Sequence, residues 1–314
     1  VAAWAVGLAG IAWIPWALTG LTTLVATLAA WFAGAPRCLY LERWRTAEWT
    51  AAGLFLVMFL IYFHGATRVV PAMEDHDLEV QGTSWSLLHE MEPKMPTDRG
   101  TTYYFAHPPL VHFMAAESLL YFNELDDMRV YRGALGRIER SPDTFDREVH
   151  NLYARYRKAP HRLATRTPNI FLAAVTAAFL CWWIGRSGAG EWLGAVAAAA
   201  YATLPEVFVR GSYGGYFAAS QLALVAMFFS IQQFERRKDR KTWAGALSAG
   251  GVAALVNHKL ILLPVAVFLC RLVQSKGKNF KRLVDPIVIG FMGGWTLFGV
   301  YDFLDRELGV RELL

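Results

Sequence analysis

The chain has 314 residues, is 55% hydrophobic and 14% aromatic, and carries a formal net charge of +5. Windows of about 20 apolar residues recur along it, which excludes an ordinary water-soluble domain and, lacking short alternating strands, a β-barrel. The basic residues sit in short links between apolar runs, so the positive balance reflects membrane topology and nucleic acid is excluded as a partner.

The first apolar block runs from Val1 to Ala33 and is interrupted by Pro15. It is too long for one span and reads as two, with the proline near the turn. No basic region precedes it and it continues past Ala30, so a cleavable signal peptide is not expected. A basic link, Arg37 to Arg45, leads to a third span from about Thr50 to Gly65. A polar segment then lasts until about Arg166 and holds roughly fifteen of the 26 carboxylates. Beyond it, spans are predicted at Pro168–Ile184, Trp192–Val209 and Gly214–Phe234, followed by the basic link Glu235–Lys241. Two shorter apolar runs, Trp243–Val256 and Leu260–Val273, flank Asn257-His258-Lys259. A basic link, Lys276 to Arg282, precedes a last span at Leu283–Leu304. Cys38, Cys181 and Cys270 lie in or beside apolar runs without metal-ligand spacing and read as small apolar residues.

The expected fold class is therefore an all-α polytopic membrane protein with about nine spans and a long, partly helical extracytoplasmic loop. Its regions are residues 1–66 (N-terminal spans), 67–166 (outer segment), 167–304 (helix bundle) and 305–314 (outer tail). With the 37–45 link in the cytoplasm, the basic links at Arg186, 235–241 and 276–282 all fall on that side. The polar segment and the turns at Arg210 and 257–259 fall outside. This agreement is what the positive-inside rule demands. The outer segment carries apolar residues at helical spacing: Leu110, Phe113, Met114, Leu120 and Tyr121 follow the Pro108-Pro109 pair, where prolines suit a helix start. Asp146 to Arg157 mixes charge with Val149, Leu152, Tyr153 and Tyr156. Such helices suit a membrane surface; the alternative is a small cap of helices packed on one another.

Four features could carry chemistry outside the membrane. Glu74, Asp75, Asp77 and Glu79 open the polar segment. Acids at a membrane mouth are costly and often functional, although Asp75 or Asp77 could instead cap a helix over Val80–Leu88. Tyr103-Tyr104-Phe-Ala-His107-Pro-Pro-Leu110 fixes the backbone beside a histidine; alone it reads equally as a loop-to-helix turn. Arg162 and Arg166 precede Pro168 and could simply snorkel to the headgroups. His258 and Lys259 occupy a tight outer turn, against the usual cytoplasmic bias of basic residues, where a cation could hold phosphate. Acid on one side and cations on the other suit proton abstraction opposite a phosphate leaving group. No Gly-rich phosphate loop, His-Glu-x-x-His or Gly-x-Ser-x-Gly pattern is present, so nucleotide-driven and serine-hydrolase chemistries have no support.

The order of these features resembles the GT-C superfamily of membrane glycosyltransferases. The likeness is to the dolichyl-phosphate-mannose–protein mannosyltransferase family and its relatives, the aminoarabinose transferases of lipid A. It rests on Met73-Glu-Asp-His-Asp-Leu78, His107-Pro-Pro-Leu110, Arg166-Thr-Pro168 and Asn257-His-Lys-Leu-Ile-Leu-Leu-Pro264, between about Thr50 and Val273. The resemblance implies inverting transfer of a sugar from a polyprenyl-phosphate donor to an acceptor hydroxyl outside the cytoplasm, in a cell (inner) membrane. It implies a general base at Asp75, with Asp77 and then Glu74 as the other candidates. It implies donor-phosphate contacts at His107, Arg166 and Lys259, with Tyr104 and His258 beside them. The implied partners are membrane lipid, a lipid-linked sugar and a protein or glycolipid acceptor. No resident cofactor or protein metal ligand is assigned, and a divalent cation is left open.

The chain departs from the family pattern in three places. The acidic motif reads Glu-Asp-His-Asp, not Asp-Glu. Arg210-Gly-Ser-Tyr-Gly-Gly-Tyr-Phe217 supplies no acid after the arginine. The sequence ends at Leu314, earlier than in such relatives, as a fragment or short member would. Two other readings therefore stand beside the enzyme: a non-catalytic scaffold subunit of a larger membrane complex, and a transporter. The transporter would need ionisable residues at mid-membrane and internal repeats, which the sequence does not supply.

Overall fold

The structure is a computed structural model and describes residues 45–68, 94–97, 100–103, 110–121, 125–156, 161–275 and 285–307. The expected spans before residue 45 lie outside it. The described residues are helical apart from one hairpin, β1 (Lys94–Thr97) paired antiparallel with β2 (Gly100–Tyr103), Lys94 opposite Tyr103. The hairpin is the non-helical part of a polar segment expected to be partly helical. The described residues fall into two compact units, one within 45–219 and one within 220–314.

In the first unit, α1 (Thr46–Arg68) is a 23-residue helix. At 1.5 Å per residue it is about 35 Å long, enough for a hydrocarbon core of about 30 Å. It buries Ala47, Ala51, Met58, Tyr62 and Ala66, recurring at four- and seven-residue steps, and exposes Leu56, Val57 and Leu60 on the other side. A helix apolar all round suits lipid on its outer face. Its partner α5 (His161–Ile184) presents Ile170, Ala173, Ala174 and Ala177 to that stripe. Small side chains let the two backbones approach where lipid removes any hydrophobic drive between helices. At the start of α1, Glu48 accepts from Trp182 Nε1 at 3.1 Å and lies 3.5 Å from Arg186 Nε. These contacts fix α1 antiparallel to α5.

Pro168 does not begin the fourth span. It lies inside α5, seven residues after its start. Proline forfeits one helical N–H and leaves one carbonyl unbonded, which a long, packed helix absorbs. The run expected as one span at 192–209 is two helices, α6 (Glu191–Ala202) and α7 (Pro205–Gly211), bent by 73°. Pro205 cannot continue α6, and carbonyls freed at the break need new donors in an apolar setting. Tyr62, fully buried on α1, donates its hydroxyl to Ala202 O at 3.0 Å, and Thr203 Oγ1 donates to Ala199 O at 2.8 Å.

The polar segment contributes α2 (Leu110–Tyr121), α3 (Leu125–Arg140) and α4 (Phe145–Tyr156). Helix α2 starts directly after the Pro-Pro pair, as predicted. Helix α3 buries Tyr131, Ala134, Leu135 and Ile138, the i, i+3, i+4, i+7 stripe of an amphipathic helix. Those side chains are covered by protein, so this stripe faces neighbouring protein rather than a lipid surface. Arg137 of α3 reaches Glu148 of α4 at 2.8 Å.

The second unit holds α8 (Phe217–Arg237) from Ser220 onward, then α9 (Arg240–Val256), α10 (Leu262–Ser275) and α11 (Pro286–Glu307) in order. Helices α9 and α11 run parallel and nearly touch through their backbones. A Cβ on Gly290 would collide with the Leu247 carbonyl, and one on Gly294 would lie 2.5 Å from Gly251 O. Gly290 and Gly294 form a small-xxx-small pair, the sequence device for close helix approach. Asp285 opens α11 by accepting from Ile287 N and pairs with Arg271 at 3.1 Å; Arg271 also pairs with Glu235.

Among the described residues, three helices are long and apolar enough to cross a membrane, or four with α6–α7 taken as one broken span. Helices α9 and α10, with 17 and 14 residues, lie at and below the short end of the range for a span. The chain is a helical protein of membrane type.

Two substitutions test this packing. Gly290→Ala should cost about 1–3 kcal/mol through overpacking against Leu247, whereas Gly293→Ala, which meets no atom within 4 Å, should stay within about 0.5 kcal/mol of wild type. Thermal unfolding in detergent measures both. Tyr62→Phe should cost about 1–3 kcal/mol by leaving the Ala202 carbonyl without its donor, with little change in packing volume.

Candidate functional site

The end of the first unit where α1 finishes and α5 begins gathers buried polar side chains. Arg166 is fully buried and donates from Nη1 to Ala66 O at 2.8 Å. Ala66 lies in the last turn of α1, where carbonyls have no intrahelical partner and the helix dipole is negative. The guanidinium therefore satisfies an orphan acceptor and places its charge where the field favours it. One turn along α5, Asn169 donates from Nδ2 to Tyr213 O at 2.7 Å. Tyr213 belongs to Gly211-Ser-Tyr-Gly-Gly-Tyr216, which joins α7 to α8 and is buried throughout. Tyr216 shares a 2.6 Å hydrogen bond with Nε2 of His112, the rings meeting edge to face at 5.4 Å. His112 sits on α2, which packs on α5, and is fully buried. Thr165 and Ser212 complete the buried polar set, Ser212 donating to Phe208 O at 2.8 Å.

The local fold explains the cluster. Gly211 and Gly65 stand where a Cβ would press into Tyr62 and Phe208, so the loop and the α1 terminus close on each other only without side chains there. Arg210 leaves the cluster: it pairs with Glu206 one turn back on α7 and lies 5.4 Å from the Phe217 ring centroid. An acid thus precedes Arg210, although none follows it.

The sites expected from sequence divide into three groups. Glu74, Asp75, Asp77, Tyr104 and His107 lie outside the described residues, as does the side chain of Arg162. Arg166 is present but sits within α5, buried, instead of snorkelling before a span. His258 and Lys259 lie in a 3-10 turn between α9 and α10, in the second unit. There Asn257 orders the turn, accepting from Lys259 N at 3.0 Å and donating to Ser220 Oγ at 2.9 Å. His258 meets Trp295 edge to face at 6.0 Å. Burial, reinforced by the Lys259 charge, holds the His258 imidazole below its usual pKa. Lys259 is exposed.

The sequence reading missed His112, Asn169, Ser212, Tyr213 and Tyr216. The available signal was the density of Gly, Ser and Tyr between two apolar helices, which is unusual unless a buried loop needs both close approach and hydrogen bonding. Among the described residues, no three His, Cys, Asp or Glu side chains converge as metal ligands would. No protein-family model, curated protein or solved structure matches the chain.

Glu148 makes the α3–α4 contact pH-sensitive. Hydrogen bonding from Arg137 outweighs the opposing effect of burial and, with Arg147, lowers its carboxyl below the usual 4.5. A depressed folded pKa means the stabilisation is present above 4.5 and is lost as pH falls through the folded value. Because Arg137 is half exposed, about 1–2 kcal/mol is at stake. Protection of α3 and α4 against hydrogen exchange, corrected for the intrinsic rate at each pH, should fall as the pH drops below 4.5 in the wild type, and Glu148→Gln should show that lower protection already at pH 7.

Proposed function

We propose that this protein is a polytopic GT-C-type glycosyltransferase of the cell (inner) membrane, with about nine spans and its active face extracytoplasmic. It transfers a sugar from a polyprenyl-phosphate donor to an acceptor hydroxyl with inversion. One observation supports the reading above others. The Arg166–Ala66 hydrogen bond joins the two ends of the 67–166 segment, which carries Glu74, Asp75 and Asp77, beside a buried polar cluster. A segment whose ends are tied at the end of a membrane helix suits service to a lipid-borne substrate.

The chemistry follows from charge. An Asp75 carboxylate, with Asp77 or Glu74 as the other candidates, takes the proton of the acceptor hydroxyl. The acceptor oxygen forms a bond to the anomeric carbon from the face opposite the phosphate. The bond from that carbon to the phosphate oxygen breaks, and the lipid phosphate leaves with both electrons. The family resemblance assigns the charge developing on it to Lys259 and His107, with Tyr104 and His258 alongside. Arg166 enters this scheme as a positioning residue, because its donation to Ala66 holds the segment's ends.

The test is turnover in proteoliposomes supplied with polyprenyl-phosphate-linked sugars and hydroxyl acceptors, read as lipid-phosphate release. The double variant Asp75→Asn, Asp77→Asn should lose about 10²- to 10⁴-fold in rate, the usual contribution of a general base. A double variant as fast as wild type removes the base assignment. A correctly folded wild type that turns over no lipid-linked sugar removes the class.

A further inference from the structure

The turn between α8 and α9 presents Arg236, Arg237, Lys238, Arg240 and Lys241, all exposed, within six residues. The nearby acids are committed elsewhere. Glu235 pairs with Arg271, and Asp285 both pairs with Arg271 and caps α11. Asp239 caps α9, accepting from Thr242 N at 2.7 Å and from Thr242 Oγ1 at 3.0 Å. Asp239 also feels the Arg237 charge, but none of the five cations forms an ion pair within 4.0 Å among the described residues.

The geometry of the turn is fixed. Lys238 holds a left-handed backbone at φ 52°, uncommon for a residue with a side chain. Its N–H closes α8 on Phe234 O at 2.8 Å, and the Asp239 cap starts α9 on the next residue. A helix end and a helix start thus meet with no slack, and the cations are displayed on a short rigid corner. The depth of that corner is also set. Helix α8 has the length and apolarity of a membrane span, and Arg236 and Arg237 are its last residues. Trp243, 39% exposed, lies one turn into α9, as an aromatic residue at a membrane interface does.

We propose that this corner is a binding site for the phosphodiester headgroups of anionic phospholipids in the adjoining leaflet. A polybasic segment next to a span attracts such lipids, each cation adding roughly fivefold in affinity and the attraction weakening with salt. The position at the end of a span favours lipid over a soluble acidic protein or a polynucleotide. The site is independent of the transferase reading, since none of its residues belongs to the proposed reaction.

The experiment uses the full chain in nanodiscs of phosphatidylcholine with increasing phosphatidylglycerol, reading lipid retained after detergent extraction by native mass spectrometry, together with melting temperature. Wild type should retain phosphatidylglycerol at least about tenfold over phosphatidylcholine, and 0.5 M salt should reduce that preference. Replacing all five cations with Gln should abolish it. A second variant, Arg236→Lys, Arg237→Lys, Arg240→Lys, keeps the charge and should keep the preference, which separates lost binding from a damaged turn. Inorganic phosphate at matched concentration should not raise the melting temperature. Retention unchanged in the Gln variant, loss in the Lys variant when it melts like wild type, or equal stabilisation by inorganic phosphate would each overturn the proposal.

Discussion

The first unit depends on a guanidinium placed where a helix ends. Burying a charge without partners is prohibitively costly, so a fully buried arginine must be met by acceptors. Ala66 provides one from the negative end of α1, a carbonyl that would otherwise lack a partner in an apolar bundle. The interaction therefore solves two problems at once, that of the charge and that of the helix terminus. It also fixes register: with Ala66 tied to Arg166 at one end and Glu48 to Trp182 and Arg186 at the other, α1 and α5 cannot slide past each other. The Asn169, Tyr213, Tyr216 and His112 contacts are built on that frame.

Both units solve the problem of holding apolar helices together without a hydrophobic drive. Where α5 meets α6, a Cβ on Gly194 would lie 2.5 Å from Cys181 O; where α9 meets α11, glycines again remove what would collide. Close approach brings many weak dispersion contacts into range, which is the main attraction between helices in lipid. Polar locks sit at the helix ends, Glu48 with Trp182 and Arg186 in one unit and Arg271 with Asp285 and Glu235 in the other. Small residues set the distance between helices and ionic contacts set their register.

Apolar length made the long helices legible in the sequence. The run after Thr50, the helix after Pro108-Pro109 and the span ending in Arg236-Arg237 all stand close to where hydropathy and proline put them. Hydropathy carried less information where backbone geometry decides. The 192–209 run is largely apolar, so composition alone could not reveal a 73° bend; Pro205 inside it was the clue. Pro168 misled in the opposite sense, because a proline that starts a helix and one tolerated within it look alike without tertiary context. The buried cluster was legible only at Arg166. His112 and Asn169 are ordinary residues in sequence, and only the packing of α2 and the Gly-Tyr loop on α5 gives them partners.

Anchoring both ends of the polar segment has an energetic consequence for whatever it carries. Closing a loop of about 100 residues costs on the order of 4 kcal/mol in chain entropy, growing only slowly with length. The α1–α5 interface, with its buried stripe of Met58, Tyr62, Ile170 and alanines, offsets that cost outside the segment itself. The segment's own contacts are then left to order its interior: Arg137 with Glu148, the apolar face of α3, and α2 against α5. Insertions within the loop add little closure cost, so its length and surface can vary while its ends stay fixed. A scaffold of this kind keeps the ends of the segment constant and lets the chain between them change.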